Sequence, residues 1–195
     1  METIPWDAGS WRNPPSDAAV DRDALKVRTK EATDMWRHTS YGFVHDSGHA
    51  LLAPLPDGQA MECDVEARYE KQFDQAGLIV FSAPTHWIKC GIEFADGSAQ
   101  LGAVVTSEVS DWSAAPVPHW SEGITRFRVS RMGDALTIRA KRPGEPWQLV
   151  RLAPIESSRQ WWAGPYAASP TRAGLEVSFS QLSLGAADSA LHGED

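Results

Sequence analysis

The sequence predicts an all-β sandwich or barrel made of antiparallel sheets. Three observations carry that expectation. Apolar and polar residues alternate at period two through most of the chain, which buries one face of each strand and wets the other. The strand-length runs are short and punctuated by turn residues, the pattern of sandwiches and barrels. No segment carries a helical apolar stripe over three turns. The best helical candidates are residues 18–25 and a single turn over residues 34–38.

The elements follow in order. Residues 25–29 and 50–53 are short strand candidates. Met61, Cys63, Val65 and Ala67 alternate with Glu62, Asp64, Glu66 and Arg68. Residues 76–81 form a continuous apolar run of strand length. Ile88, Cys90, Ile92 and Phe94 then alternate with Trp87, Lys89, Gly91 and Glu93. The turn cluster Ser82-Ala83-Pro84-Thr85-His86 joins these two runs as a hairpin. Asp96-Gly97 marks a tight turn into residues 99–106. Further on, Phe127 and Val129 alternate with Arg126 and Arg128, and Leu136, Ile138 and Ala140 with Thr137, Arg139 and Lys141. Turns at Met132-Gly133-Asp134 and Lys141-Arg142-Pro143-Gly144 separate these runs from residues 147–152. Residues 161–168 and the set Leu175, Val177, Phe179 close the series. With no linker inside the chain, one domain over residues 1–195 is expected, with residues 186–195 as a small, acidic, frayed tail.

Composition narrows the function classes. The 195 residues carry 18 basic and 26 acidic side chains, a net charge of −8. A negative surface repels phosphate, so no nucleic-acid or anionic-membrane partner is expected. No basic region followed by an apolar run opens the chain, and no stretch reads as a membrane span. Cys63 and Cys90 lack C-x-x-C spacing and read as reduced, buried thiols of a cytoplasmic protein. The nine tryptophans are the anomaly. They must be hidden in a core or displayed at a site. Trp147, Trp161 and Trp162 sit in strand-like runs and read as core, whereas Trp36, Trp87, Trp112 and Trp120 are the candidates for display.

Four constellations could carry chemistry. Glu62-Cys63-Asp64-Val65-Glu66 projects three carboxylates from one strand face. Glu62 and Glu66 would lie about 13 Å apart along a regular strand, too far for a retaining glycosidase pair without convergence. The motif resembles the E-x-D-x-E signature of laminarinase-like glucanases. His38, His45, His49 and His86 form a histidine set, with Asp46-Ser47-Gly48 as a hairpin turn between His45 and His49. No third metal ligand is nominated, so no metal is expected. The polar face of the central hairpin brings Trp87, Lys89 and Glu93 near Gln75. A pyranose ring stacks on an indole while its hydroxyls take polar partners, and Gly91 in mid-strand signals close approach of a ligand or another chain. Asp111-Trp112-Ser113, near Trp120, reads as a Pro-rich loop that either plugs the core or rims a groove. No phosphate loop, nucleophile elbow or Cys–His pair is present, and no cofactor is expected. Arg126, Arg128, Arg131, Arg139 and Lys141 read as an outer, solvated sheet face.

Several blocks together resemble the "regulation of enolase" family of concanavalin A-like domains. They are Trp11-Arg12-Asn13-Pro14-Pro15, Met35-Trp36-Arg37-His38-Thr39-Ser40-Tyr41-Gly42-Phe43, Asp46-Ser47-Gly48-His49, Phe73-Asp74-Gln75-Ala76-Gly77-Leu78-Ile79-Val80 and Trp87-Ile88-Lys89-Cys90-Gly91-Ile92-Glu93-Phe94. Val104-Val105-Thr106 through Asp111-Trp112-Ser113, Tyr166-Ala167-Ala168-Ser169-Pro170 and Gly174-Leu175-Glu176-Val177-Ser178-Phe179 continue the match, which spans residues 5–184. The resemblance implies a two-sheet antiparallel jelly roll of lectin or glucanase type and no agreed activity. The matching candidate ligand contacts are Trp36, Tyr41, Asp46, His49, Gln75, Trp87, Lys89, Glu93, Asp111 and Trp112. The expectation is a non-catalytic module holding a saccharide or small polar ligand on a concave sheet. The alternatives are a glycoside hydrolase or lyase using Glu93 or the Glu62/Glu66 pair, and a module that binds a protein partner.

Overall fold

The computed structural model describes residues 1–191. The strands are β1 (Glu2–Thr3), β2 (Ser10–Arg12), β3 (Asp17–Asp21), β4 (Ala24–Arg28), β5 (Met35–Arg37), β6 (Val44–Asp46), β7 (His49–Pro54), β8 (Gln59–Ala67) and β9 (Gln75–Ala83). They continue as β10 (His86–Ala95), β11 (Ser98–Ser107), β12 (Val109–Pro116), β13 (Ile124–Met132), β14 (Ala135–Lys141), β15 (Gln148–Pro154), β16 (Trp162–Ala168) and β17 (Glu176–Ala186). Two large antiparallel sheets form a jelly-roll sandwich. One has the order β15-β14-β13-β8-β17-β4-β3, with β1 also paired to β17; the other is β12-β11-β10-β9-β16-β7-β2. A two-stranded hairpin, β5-β6, stands apart from both.

Period two places the core. Met61, Cys63 and Val65 of β8, Phe127 and Val129 of β13, and Leu78, Val80, Ile88, Cys90 and Ile92 of β9 and β10 meet in one cluster between the sheets. The unbroken apolar run of β9 has a separate cause. Its other face, Ile79 and Phe81, is buried too, in a second cluster with Met35 and Trp36 of the β5-β6 hairpin and with Trp87, Val104 and Tyr166. The seven-stranded sheet is therefore covered on its outer side by a small flap. Asp96 and Gly97 both adopt positive φ at the β10–β11 turn, the geometry a two-residue hairpin of this type requires.

Several expectations are corrected. Residues 18–25 are not helical: β3 and β4 pair as a hairpin there. Asp34–His38 does not form a helical turn but contributes β5. Asp46-Ser47-Gly48 does not join a hairpin, because β6 pairs with β5 while β7 pairs with β16 and β2. Residues 111–113 lie in β12, an edge strand paired to β11. Arg131 faces inward and donates to the carbonyls of Leu55, Ser157 and Arg159. Trp147 is half-exposed beneath the Lys141 ammonium rather than core. Asp188 pairs with Arg128 and Arg139, and its amide donates to Ser130 Oγ. Residues 192–195 of the expected frayed tail lie outside the described residues. No described helix is long and apolar enough to cross a membrane.

Candidate functional site

The outer face of the seven-stranded sheet carries a cavity of about 200 Å³ lined by Asp34, Trp36, Tyr41, Phe43, Phe73, Gln75, Lys89, Glu93, Val104 and Trp112. Register explains the floor. Glu93 sits opposite Gln75 on β9 and Gln100 on β11, and Lys89 sits opposite Ile79 and Val104. Between those two rows run Gly77, Gly91 and Gly102, side by side on three neighbouring strands. A Cβ at Gly77 would overlap the Cys90 carbonyl oxygen, and one at Gly91 the Ala76 carbonyl. The close approach that Gly91 signals is thus first of all that of the neighbouring strand's backbone. The row also leaves bare main chain as a furrow between Lys89 and Glu93, walled by Trp112, Ala114 and Tyr166.

Lys89 is buried and its ammonium donates to Gln75 Oε1 at 2.6 Å and Asp34 Oδ1 at 3.0 Å. Gln75 Nε2 donates to the same Asp34 oxygen and to the Phe73 carbonyl, and Tyr166 Oη donates to Gln75 Oε1 at 2.9 Å. A buried ammonium needs such partners, because a lone charge in this setting would be strongly disfavoured. Asp34 is positioned by its own backbone. Its carbonyl accepts the amides of Ser47 and Gly48, and its Oδ1 also accepts the Met35 amide. Asp74, fully buried, accepts the amides of Glu70 and Lys71 and a bidentate Arg172. That brace sets the loop leading to Gln75.

Glu93 differs from Asp34 and Asp74. Among the described residues nothing donates a hydrogen bond to its carboxyl. Burial pushes it up to about 7, against the pull of the Lys89 ammonium and with a smaller push from Asp34. Burial likewise raises Tyr166 well above the usual phenol range, so that hydroxyl stays a neutral donor.

Aromatic rings overhang this polar floor. Tyr41 stacks on Phe43 at 5.3 Å and meets the edge of Trp36 at 5.7 Å. Tyr41 and Phe43 are exposed, as is Trp112 at 40%. Positive φ at His38, Ser40 and Gly42 folds the flap's loop back tightly. Phe73 also has φ of 68°, a conformation that a bulky side chain adopts only when its surroundings hold it there.

Of the ten expected contacts, Trp36, Tyr41, Gln75, Lys89, Glu93 and Trp112 line this cavity. The other four do not. Trp87 is 1% exposed, packed in the second cluster beneath the flap. His49 is buried, with Nδ1 at the Asn13 carbonyl and Nε2 accepting the Lys30 amide; burial lowers its pKa and leaves it neutral. Asp46 is paired with Arg12, and Asp111 with Arg151 at 2.7 Å on the far side of β12 from the cavity. Glu62 and Glu66 are on the other sheet, where Glu62 pairs with Arg128 and Glu66 is exposed. They do not converge. Trp120 is a core plug, and Cys63 and Cys90 are buried thiols whose pKa burial raises. Asp34, Phe43 and Phe73 belong to the site although the sequence did not nominate them as contacts. Asp34 stands only two residues before Trp36, which was the available signal.

No group of described residues has the make-up of a metal site. A model of the family described as "Protein of unknown function (DUF1349)" matches residues 11–187. "Regulation of enolase protein 1" of Saccharomyces cerevisiae is 39% identical, over 90% of this chain and 88% of that protein. An uncharacterized protein of Emericella nidulans is 32% identical, over 70% and 72%. The fold matches the crystal structure of a functionally unknown protein from Saccharomyces cerevisiae with a TM-score of 0.89 at 38% identity, covering 94% of this chain and 98% of that one. Fold likeness alone extends to a GH43 protein of Bacillus licheniformis (TM-score 0.72, 12% identity, 95% of this chain and 38% of that one). It extends also to an alginate lyase of Klebsiella pneumoniae (0.60, 9%, 86% and 82%). The chain belongs to the DUF1349 family of proteins of unknown function, a family to which fold alone assigns no chemistry.

Proposed function

We propose that this chain is a binding module that holds one saccharide unit on the outer face of its seven-stranded sheet. The observation that carries the reading is the half-exposed Trp112 indole beside a floor of fixed polar groups, Lys89, Gln75, Asp34 and Glu93. An apolar ring face suits a sugar's C–H face, and the prearranged donors and acceptors suit its hydroxyls. The cavity is smaller than the roughly 300–1,000 Å³ of drug-sized sites, which fits a single ring better than a long chain. A glycan array followed by calorimetry on wild type and Trp112→Ala tests it. Saccharide binding that the variant loses is expected. Absence of binding across the array, or binding untouched by the variant, overturns it.

One observation favours a second reading, glycoside cleavage. Glu93, held near pKa 7, suits a proton donor, and Asp34 is the second carboxyl lining the same cavity. Incubation with oligosaccharides would release new reducing ends, and Glu93→Gln would abolish the release. Unaltered oligosaccharides would discard this reading and leave the binding reading intact.

A further inference from the structure

We propose that the sugar accepted by this pocket carries a free amine, and that the Glu93 carboxylate receives its ammonium group. The inference rests on the binding reading above and names the ligand class for that same site.

Charge within the cavity is the first argument. Its described lining holds two carboxyl groups, Asp34 and Glu93, and one ammonium, Lys89. Lys89 and Asp34 neutralise each other at 3.0 Å. Glu93 is left over, half-buried and without a donor. A ligand that brings one positive charge completes the set. A neutral ligand leaves the carboxyl without a partner of opposite charge, and an anionic one adds repulsion.

The walls point the same way. Trp112, Tyr41 and Phe43 present ring faces and edges around the opening, and aromatic faces attract cations and disfavour anions. The net charge of −8 draws cations toward the protein as a whole.

The bare floor beside Glu93 makes the ligand a sugar rather than a bare amine. Lys89 and Glu93 are four residues apart on β10, and the Lys89 ammonium leans back to Gln75, directly opposite Glu93. Gly91 and Gly102 leave the floor between them without side chains. A ring lying over that floor can place an amine at Glu93 and its hydroxyls at Gln75, which sits opposite Glu93 and holds the Lys89 ammonium at 2.6 Å.

Proton linkage follows. The charged or titratable groups facing Glu93 are Lys89 on its own strand, Asp34 at the entry to β5 and the neutral Tyr166 phenol of β16. Near pH 7 the empty site holds Glu93 partly protonated, so an arriving ammonium releases up to one proton.

The test compares glucosamine, glucose and glucuronate binding to wild type and Glu93→Gln by NMR titration and calorimetry at pH 7. Glucosamine is expected to bind about tenfold or more tighter than glucose. Its heat should vary with the buffer's own ionisation heat, and glucuronate should bind weakest. Glu93→Gln should erase the preference for glucosamine over glucose. Glucose binding as tightly as glucosamine, or a preference that survives in Glu93→Gln, overturns this inference and spares the binding reading. Failure of every sugar to bind wild type overturns both. Should the variant fail to fold, the wild-type ranking and the buffer dependence still decide.

Discussion

Trp87 and Trp112 lie on neighbouring rows of one sheet face, yet one is hidden and one displayed. Strand parity puts both on the outer face; it was legible in the sequence for Trp87, whereas Trp112 read as part of a loop. Coverage was not. Met35 and Trp36 descend from the flap onto Trp87 and leave Trp112 open. Trp87→Ala should therefore cost about 3–5 kcal/mol in urea unfolding, and Trp112→Ala less than about 1 kcal/mol while removing sugar binding. Glu93 yields a prediction of opposite sign. Its folded pKa of about 7 stands above the ordinary 4.5, so the native state binds the extra proton. The native state is favoured below about pH 4.5, and stability is lost as pH rises through about 7. Glu93→Gln should thus stabilise the protein by about 2 kcal/mol at pH 8 and leave stability near unchanged at pH 4. Equal effects at both pH values would count against a half-buried, unpartnered carboxyl.

At the element scale, β9, β10 and β11 form the platform, and their alternation and turn chemistry were readable directly. The row of Gly77, Gly91 and Gly102 was not, because register across strands aligns residues from three separate segments. Gly91→Ala should destabilise by about 1–3 kcal/mol, since its Cβ meets the Ala76 carbonyl, which cannot swing away as a side chain would. Thermal unfolding checks this. A neutral outcome would show that the strands have room to part. The β5-β6 flap was the element least visible in advance. Its strands have three residues each, too short for a periodic signal, and its loop depends on positive φ at His38 and Ser40.

Across the whole molecule, the sandwich is closed by contacts distant in sequence. Asp188, two residues beyond β17, anchors Arg128 and Arg139 on the outer face of the eight-stranded sheet. Asp188→Ala should cost about 2–3 kcal/mol and loosen the tail in hydrogen exchange, because it leaves Arg139 without a described carboxylate partner. The same sheet accounts for the failure of the Glu62/Glu66 pair. That alternation serves an outer face opposite arginines of β13, and among the described residues the cavity of about 620 Å³ on that sheet is lined by Glu66 but not by Glu62. The sequence by itself determined the all-β class, the antiparallel pairing of neighbouring strands and the polar residues of β9 and β10, because these depend on local period and local turns. Only the tertiary structure decided which of those residues form a site. Asp34 reaches Lys89 across 55 residues of chain, His49 and Asp46 are drawn into structural contacts by the N-terminal segment, and Trp87 is sealed by a flap. Burial and pairing depend on what packs above a strand, and alternation along the strand does not contain that information.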